Sequence, residues 1–382
     1  MIDYNLWRIF HYVVKTVLVV MIGSMSSCID PVAPDFAFTE GLVFVEGFAA
    51  TTEGSSFVVI NKSVSEFGVN KSVFVEGATV SFKNSNSGQT MELFEVSEAY
   101  IPPSDFKASI GERWELAITL ADGTQYKSSP EKIVAPVPIT NIAASYVTDL
   151  RFNNGNNRFE PGHSVSVTFN DPADTENYYY WSFRSFESLT ICETCYQGIY
   201  RNEQCGSTEV ATPEYFTYIC ETDCWKVRFP DTVTIYDDTF SNGKTTTDLK
   251  VAEIPLYSKK DILVEIQQYS LNPSAYEYYK VLKDIIDNSG GFNAPPPAAL
   301  VGNMVNVNDA NDFVFGRFTA AATSKASVLI ERNTIPESAL ESETALSMEP
   351  TLMSPYPPPA TTTAPCSETR FRTAIRPEGW IN

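Results

Sequence analysis

The chain has 382 residues, with 47 acidic and 27 basic side chains, so its formal net charge is −20. A surface of that sign repels phosphate backbones, which a nucleic-acid-binding protein must neutralise with Lys and Arg, and we therefore exclude nucleic-acid binding. The content of 13% aromatic residues favours strands, and the length exceeds what one core usually supports, so we expect an all-β chain of two domains.

The first 40 residues are organised as a leader and a tether. An apolar run from Val17 to Ile22 follows two basic residues, and it is too short for a membrane span of about 20 residues. Small residues then lead directly into Cys28, as in a bacterial lipobox. The sequence therefore predicts a signal peptide over residues 1–27, a lipid on Cys28 and a tether over residues 28–40. The alternative is an ordinary leader followed by an incidental cysteine.

Residues 41–135 show the period-two alternation of half-buried strands. Examples are Val80 with Phe82, and the run from Trp114 to Leu120, which stops at Asp122-Gly123. That dipeptide predicts a hairpin with a type I′ turn. Several short strands with such turns predict an N-terminal immunoglobulin-like sandwich. Alternating prolines at Pro136 and Pro138 mark the expected boundary, since they offer no backbone donor to a sheet.

Residues 139–332 predict a larger second β-sandwich domain with one helix. The aromatic strand from Tyr178 to Phe183 alternates, so about half of its rings should lie in the core. The helix is predicted over residues 273–288, because Asn272 can cap it and Pro273 suits its first turn. Its apolar face comprises Tyr276, Tyr279, Leu282 and Ile286.

Residues 187–225 lose the alternation and gain cysteines, which predicts a disulfide-rich insertion, and residues 333–382 form a Pro/Thr-rich tail that ends in a Cys/Trp segment. An even number of cysteines beyond a signal peptide favours disulfides over a zinc site or redox activity. The candidates are Cys192, Cys195, Cys205, Cys220, Cys224 and Cys366. Six cysteines allow 15 pairings. We hypothesise that Cys366 bonds back to the insertion, because it would hold the long tail.

The insertion also carries aromatic residues in an irregular region, where exposed rings commonly serve binding. The candidate ligand-binding residues are Tyr196, Tyr200, Tyr215, Tyr218 and Trp225. Packing around the disulfides is the favoured alternative.

The sequence predicts no catalytic residue, no metal site and no cofactor. The one histidine after the leader, His163, follows a strand-entry turn, so an ordinary surface residue is favoured over a general base. Asp237 and Asp238 could serve a glycosidase, but acidic pairs usually mark solvated turns. Oxygen-bearing side chains that could bind calcium lack the spacing of a calcium loop, so a hairpin turn is favoured; they are Asn306, Asn308, Asp309, Asn311 and Asp312.

Several short segments occur in an order that resembles a known family. They are Cys28-Ile29-Asp30-Pro31, Leu42-Val43-Phe44-Val45-Glu46-Gly47, Phe169-Asn170-Asp171-Pro172 before Tyr178-Tyr179-Tyr180-Trp181, Gly302-Asn303-Met304-Val305-Asn306-Val307-Asn308-Asp309 before Phe315-Gly316-Arg317-Phe318, and Pro377 to Trp380. The chain resembles Bacteroidetes outer-membrane lipoproteins classed as a domain of unknown function (type 4249). This chain has Cys366 alone where that family usually places two cysteines near the tail.

Members of that family are typically encoded beside TonB-dependent transporters. The resemblance therefore implies a lipid-anchored, surface-exposed outer-membrane protein that acts as a non-catalytic binding or accessory subunit of a transporter barrel. A structural or adhesive surface protein is the alternative, and a secreted hydrolase is less favoured.

Overall fold

The computed structural model describes residues 39–207, 214–288, 300, 302–309, 312–342, 344–349 and 361–381. Nearly all regular structure in these residues is β, with one helix, as the composition predicts. The predicted signal peptide, Cys28 and nearly all of the tether lie outside the described residues. No helix in the described ranges is both long and apolar enough to cross a bilayer.

The N-terminal part of the chain forms a sandwich in which alternate side chains are buried. Its strands are β1 (Val43–Ala50), β2 (Phe57–Glu66), β3 (Val69–Phe74), β4 (Thr79–Asn84), β5 (Thr90–Glu95), β6 (Tyr100–Ile101), β7 (Arg113–Thr119), β8 (Gln125–Ser128) and β9 (Glu131–Lys132). Val80 and Phe82 of β4 lie in the same core as Trp114 and Leu116 of β7. The alternation seen in the sequence is therefore confirmed in β4 and β7.

The hairpin between β7 and β8 is confirmed, but its predicted type I′ turn is wrong. The Leu120 N–H donates to the Thr124 carbonyl at 2.9 Å, which leaves three residues in the loop. Of the two predicted turn residues, Gly123 alone has a positive φ, at 88°, whereas type I′ needs two. Such a three-residue loop combines a type I turn with a left-handed glycine. Asp122 stabilises this loop, because its carboxylate accepts the Thr124 N–H at 2.9 Å.

The second sandwich packs a three-stranded sheet against long strands of the main sheet. Its strands are β10 (Ile139–Asn153), β11 (Arg158–Asn170), β12 (Tyr178–Ser188), β17 (Trp225–Arg228), β18 (Thr234–Asp237), β19 (Thr245–Pro255), β20 (Ile262–Leu271) and β22 (Val314–Ile330). Strands β10, β11 and β19 form the smaller sheet. Val167 and Phe169 of β11 share a core with Trp181 of β12 and Val264 of β20. The predicted all-β sandwich architecture is confirmed.

One helix, α1 (Pro273–Asn288), covers the opposite face of β12 and β20. The Asn272 side chain caps it by accepting the Ala275 N–H at 2.8 Å, as predicted. Tyr279 of the helix stacks on Tyr180 of β12, with ring centroids 4.6 Å apart. Because α1 covers one face of β12 and the smaller sheet covers the other, Tyr180 and Trp181 are both buried. The expectation that half of this strand's rings lie in the core is therefore too low.

The two sandwiches share the main sheet, because β1 pairs in parallel with β22, from Val43 beside Val314 to Ala50 beside Ala321. The N-terminal core also includes Phe318 of β22. A short strand from the same region, β21 (Met304–Asn306), pairs with β8. The described residues from Glu40 onward belong to one compact unit. The predicted domain bounds stay a prediction, but the N-terminal sandwich is completed by strands from the far end of the second.

The glycine of Phe315-Gly316-Arg317-Phe318 is required by this parallel pairing. Gly316 has a φ of 103°, and a Cβ there would lie 1.9 Å from the Val45 carbonyl oxygen of β1. Any other residue would push the two strands apart.

The insertion and the tail add short strands around a small core of their own. They are β13 (Ile191–Tyr196), β14 (Gly198–Arg201), β15 (Gln204–Ser207), β16 (Tyr215–Cys220), β23 (Thr363–Ala364) and β24 (Arg372–Thr373). The tail strand β23 pairs with β16 of the insertion, and β24 pairs with β17 at the edge of the main sheet. The tail therefore lies against both the insertion and the main sheet.

Candidate ligand-binding cleft

The six candidate cysteines form three disulfides. They are Cys192–Cys220, Cys195–Cys205 and Cys224–Cys366. The last confirms the hypothesis that the tail cysteine bonds back to the insertion. The sulfurs of Cys192, Cys220 and Cys224 lie within 4.8 Å of one another, because two of the bridges are neighbours. Bonded sulfurs offer no thiolate, which is the form that binds zinc.

Most of the aromatic residues proposed for binding are packed, Tyr200 and Tyr218 in the core of the insertion and Trp225 against the main sheet beside Phe186 and Leu263. Tyr200, Tyr218 and Trp225 are buried, and Tyr215 is half-buried. The Tyr218 hydroxyl accepts the Tyr200 N–H at 2.8 Å and bonds the Glu349 carboxylate. Tyr196 is 72% exposed and lies apart from the buried rings of this core.

His163 is buried, at 5% exposure, so its prediction as a surface residue is wrong. It lies on β11, where its ring makes an edge contact with Tyr146 at 5.4 Å between centroids. Burial and the nearby Arg332 cation lower the pKa of His163 to about 4. The imidazole is therefore neutral at neutral pH and belongs to the packed interior.

The acidic pair Asp237 and Asp238 holds loops and the helix in place. Asp237 accepts the Tyr276 hydroxyl of α1 at 2.6 Å. Asp238 is buried and accepts the Asn177 N–H at 2.9 Å, so this acidic pair does not simply mark a solvated turn. Both carboxylates therefore accept hydrogen bonds from other parts of the fold.

The oxygen-rich segment after β21 is a turn closed by its own side chains. The Asn306 side-chain oxygen accepts the N–H groups of Asn308 and Asp309, at 2.8 and 3.1 Å. Asp312 accepts the Asn306 amide at 2.7 Å. Asn311 lies outside the described residues. These contacts form a local turn, but the hairpin interpretation is wrong: in the described strands β21 pairs with β8, whereas β22 pairs with β1 and β20.

A cleft of about 540 Å³ lies between the main sheet and the C-terminal tail. Strands β12, β20 and β22 supply its floor, and tail residues 368–378 supply one wall. Glu46 of β1 and Phe57 of β2 line the side of the N-terminal sandwich. This volume lies within the range of small-molecule sites, about 300 to 1,000 Å³.

The charges on the floor of the cleft neutralise one another across neighbouring strands. Arg184 of β12 contacts Glu265 of β20 at 2.7 Å, and Lys325 of β22 contacts the same carboxylate at 3.5 Å. Gln267 donates to Glu265 at 2.8 Å. Burial acts to raise the pKa of Glu265, but the two cations outweigh it and hold that pKa below its usual range. The floor is therefore a fixed network with its charges satisfied.

Five further charged side chains line the same cleft, namely Glu46, Glu368, Arg370, Arg376 and Glu378. Among them, Glu46 and Arg370 have opposite signs and are not paired. In the described part of the chain, neither Glu46 nor Arg370 makes a hydrogen bond or an ion pair. The Glu46 side chain remains accessible from the cleft. Desolvation by the surrounding walls raises the pKa of Glu46, and Arg370 opposes that rise.

A second cavity, of about 460 Å³, adjoins the cleft and shares Glu46, Tyr180 and Pro230 with it. Tyr278 and Tyr279 of α1 line its far side. Glu46 therefore lies where the two spaces meet. An unpaired acid of raised pKa in a cavity is a common mark of a functional site.

The family model for a domain of unknown function (DUF4249) matches residues 29–327. The chain belongs to this family. No curated protein matches the sequence. In this DUF4249 chain the matched residues include Glu46 and the whole floor of the cleft, whereas Arg370 and the tail wall lie beyond them.

Two of the short segments noted in the sequence hold the fold together near the helix. Arg317 of Phe315-Gly316-Arg317-Phe318 forms a buried ion pair with Glu131 of β9 and bonds Ser274 of α1 at 2.9 Å. Asn303 donates to Glu131 at 3.0 Å and accepts the Phe318 N–H at 2.9 Å. Burial raises the pKa of Glu131, and Arg317 opposes it. This network joins the N-terminal sandwich, β22 and the helix.

Another of these segments, Asn170-Asp171-Pro172, fixes the loop that leads into the aromatic strand. The buried Asp171 carboxylate accepts the Tyr179 hydroxyl of β12, and it also accepts the Gly243 N–H at 3.2 Å. Burial raises the pKa of Asp171, and these donors oppose the rise. The segment is therefore architectural and lies outside the cleft.

Proposed function

We propose that the chain is a lipid-anchored, non-catalytic binding protein and serves as an accessory subunit of an outer-membrane transporter of the TonB-dependent type. The cleft carries this proposal, because it is of ligand size and its unpaired charges, Glu46 and Arg370, face the same space. The groups first considered for catalysis support a non-catalytic role. His163 is buried, and Asp237 and Asp238 are occupied by donors of the fold.

The membrane part of the proposal rests on the sequence around Cys28 and on family membership. Small residues lead from the apolar run directly into Cys28. An acylated cysteine would hold the β body at a membrane surface, and several acyl chains on one residue anchor more firmly than one. Tethering both partners to one membrane raises their effective concentration, so a modest direct affinity suffices for assembly.

A structural or adhesive surface role is the second candidate. Two exposed aromatic side chains favour it, since Phe67 at the β2–β3 turn is fully exposed and Phe240 is 92% exposed. Such rings at turns offer apolar contacts to another surface.

Affinity purification of the tagged full-length protein from membranes in mild detergent separates the two candidates. The accessory role predicts that an outer-membrane barrel co-purifies reproducibly at near-equal amounts. A Cys28→Ser variant, expressed to the same level, is the matched control for contacts formed after lysis. Reproducible recovery of the wild-type protein without a barrel would favour the adhesive role.

A further inference from the structure

The walls of the cleft present an anion and a cation that the described fold leaves unpaired. The acid at the floor, Glu265, is satisfied by Arg184 and Lys325. Glu46 and Arg370 line the same cleft, and no hydrogen bond or ion pair joins them in the described residues. A bound molecule with charges of both signs could satisfy each of them.

Arg370 is held by aromatic rings that fix its guanidinium group without using its donors. Its central carbon lies 5.0 Å from the ring centroid of Phe229, 5.7 Å from that of Phe371 and 6.0 Å from that of Phe57. Cation–π contacts of this kind orient the planar group. A guanidinium group so placed binds a carboxylate with two parallel hydrogen bonds.

Glu46 also lines the cleft, and its carboxylate can accept hydrogen bonds from a positively charged donor of the ligand. Its side chain is exposed and lines the cleft, so a cation that enters can reach the carboxylate. Apolar and aromatic side chains of Phe57, Tyr180 and Phe229 line the same space. They offer burial to an uncharged, apolar part of a ligand.

We propose that the cleft binds short peptides, with the peptide carboxylate on Arg370, the terminal amine on Glu46 and an apolar side chain against Phe57 and Phe229. The proposal rests on the proposed binding function and names its ligand class. A neutral sugar would leave both charges without a counter-charge. A purely anionic ligand would be repelled by Glu46.

Calorimetric titration of the mature, detergent-solubilised protein tests this assignment. The probes are leucyl-phenylalanine, phenylalanyl-leucine and valyl-tyrosine, each also with an acetylated amine or an amidated carboxylate, and the neutral disaccharide maltose. We expect at least one free dipeptide to bind, and each blocked form to bind about 10-fold more weakly or worse, because each loses a charge-assisted hydrogen bond.

The variants Glu46→Gln and Arg370→Gln should each weaken binding of the free dipeptide by a similar factor. Lys71→Gln on the exposed β2–β3 hairpin is the control and should change nothing. Thermal melting of each variant confirms that it folds. No dipeptide binding, equal binding of the blocked forms, or binding of maltose alone would overturn the proposal.

The ligand assignment and the transporter role fail separately. A barrel that co-purifies with a protein unable to bind dipeptides rejects the ligand class alone. Dipeptide binding by a protein that never co-purifies with a barrel rejects the accessory role alone.

Discussion

The Cys224–Cys366 bridge should contribute more to stability than the other two disulfides. It closes a loop of 142 residues, and the other bridges precede that loop and do not shorten it. The chain-entropy model gives a loss of about 17 cal/mol/K in the unfolded chain, or about 5 kcal/mol at 25 °C. The double variant Cys224→Ser, Cys366→Ser should lose a free energy of unfolding of that order.

The matched control is the double variant Cys195→Ser, Cys205→Ser, whose bridge spans 10 residues. The same model gives about 2.7 kcal/mol for it. Urea unfolding under oxidising conditions, followed by tryptophan fluorescence, measures both losses. Trypsin should also cleave the tail of the first variant faster, at Arg370 and Arg372. Equal losses in the two variants, or an unchanged rate of tail cleavage, would refute the reasoning.

Three further predictions concern the described fold. Arg317→Met should lower the free energy of unfolding by about 3 to 5 kcal/mol, since it leaves the buried carboxylate of Glu131 unpaired. Lys71→Met, which breaks an exposed ion pair, should lower it by at most about 1 kcal/mol. Equal losses of the two variants in urea unfolding would contradict this. Gly316→Ala should lower the melting temperature far more than Gly123→Ala. Both glycines have a positive φ, but only a Cβ at Gly316 would overlap backbone atoms, those of Val45. Similar shifts in melting temperature would contradict this explanation. The pKa of His163 is about 4 in the folded protein, which is below its value in the unfolded chain. The free energy of unfolding that depends on neutral His163 is therefore fully present above about pH 6.5, and it is lost as the pH falls toward 4. Acidification from about pH 7.5 to pH 5 should therefore cost the wild type about 2 kcal/mol more than His163→Gln, and identical pH profiles would refute this.

Local patterns in the sequence predict most of the elements. Alternation identifies β4 and β7, because one face of each is buried, and the Asn272 cap with Pro273 places the start of α1. Alternation understates the burial of β12, because nothing local shows that a helix and a second sheet cover its two faces. The parallel pairing of β1 with β22 joins residues about 270 positions apart, and no short-range signal encodes it.

The cleft cannot be predicted from the sequence for the same reason. Glu46 stands at an outward position of a strand, where a carboxylate is ordinary, and Arg370 lies in an irregular tail. Their meeting depends on the tail being held by β24 and by the bridge from Cys366. The hypothesis for Cys366 is the one sequence signal that points to this region. The prediction for His163 is wrong because its turn-like context gives no sign of the side chains that bury it.

Delivery of the β body to a membrane by Cys28 is the central claim. Intact-mass and peptide analysis of the protein purified from cell membranes tests this directly, alongside membrane fractionation of Cys28→Ser. We predict a mature chain that begins at Cys28 and carries acyl chains, and a variant that folds but leaves the membrane fraction. An unacylated Cys28, or a Cys28→Ser variant that stays with the membranes, would contradict the claim.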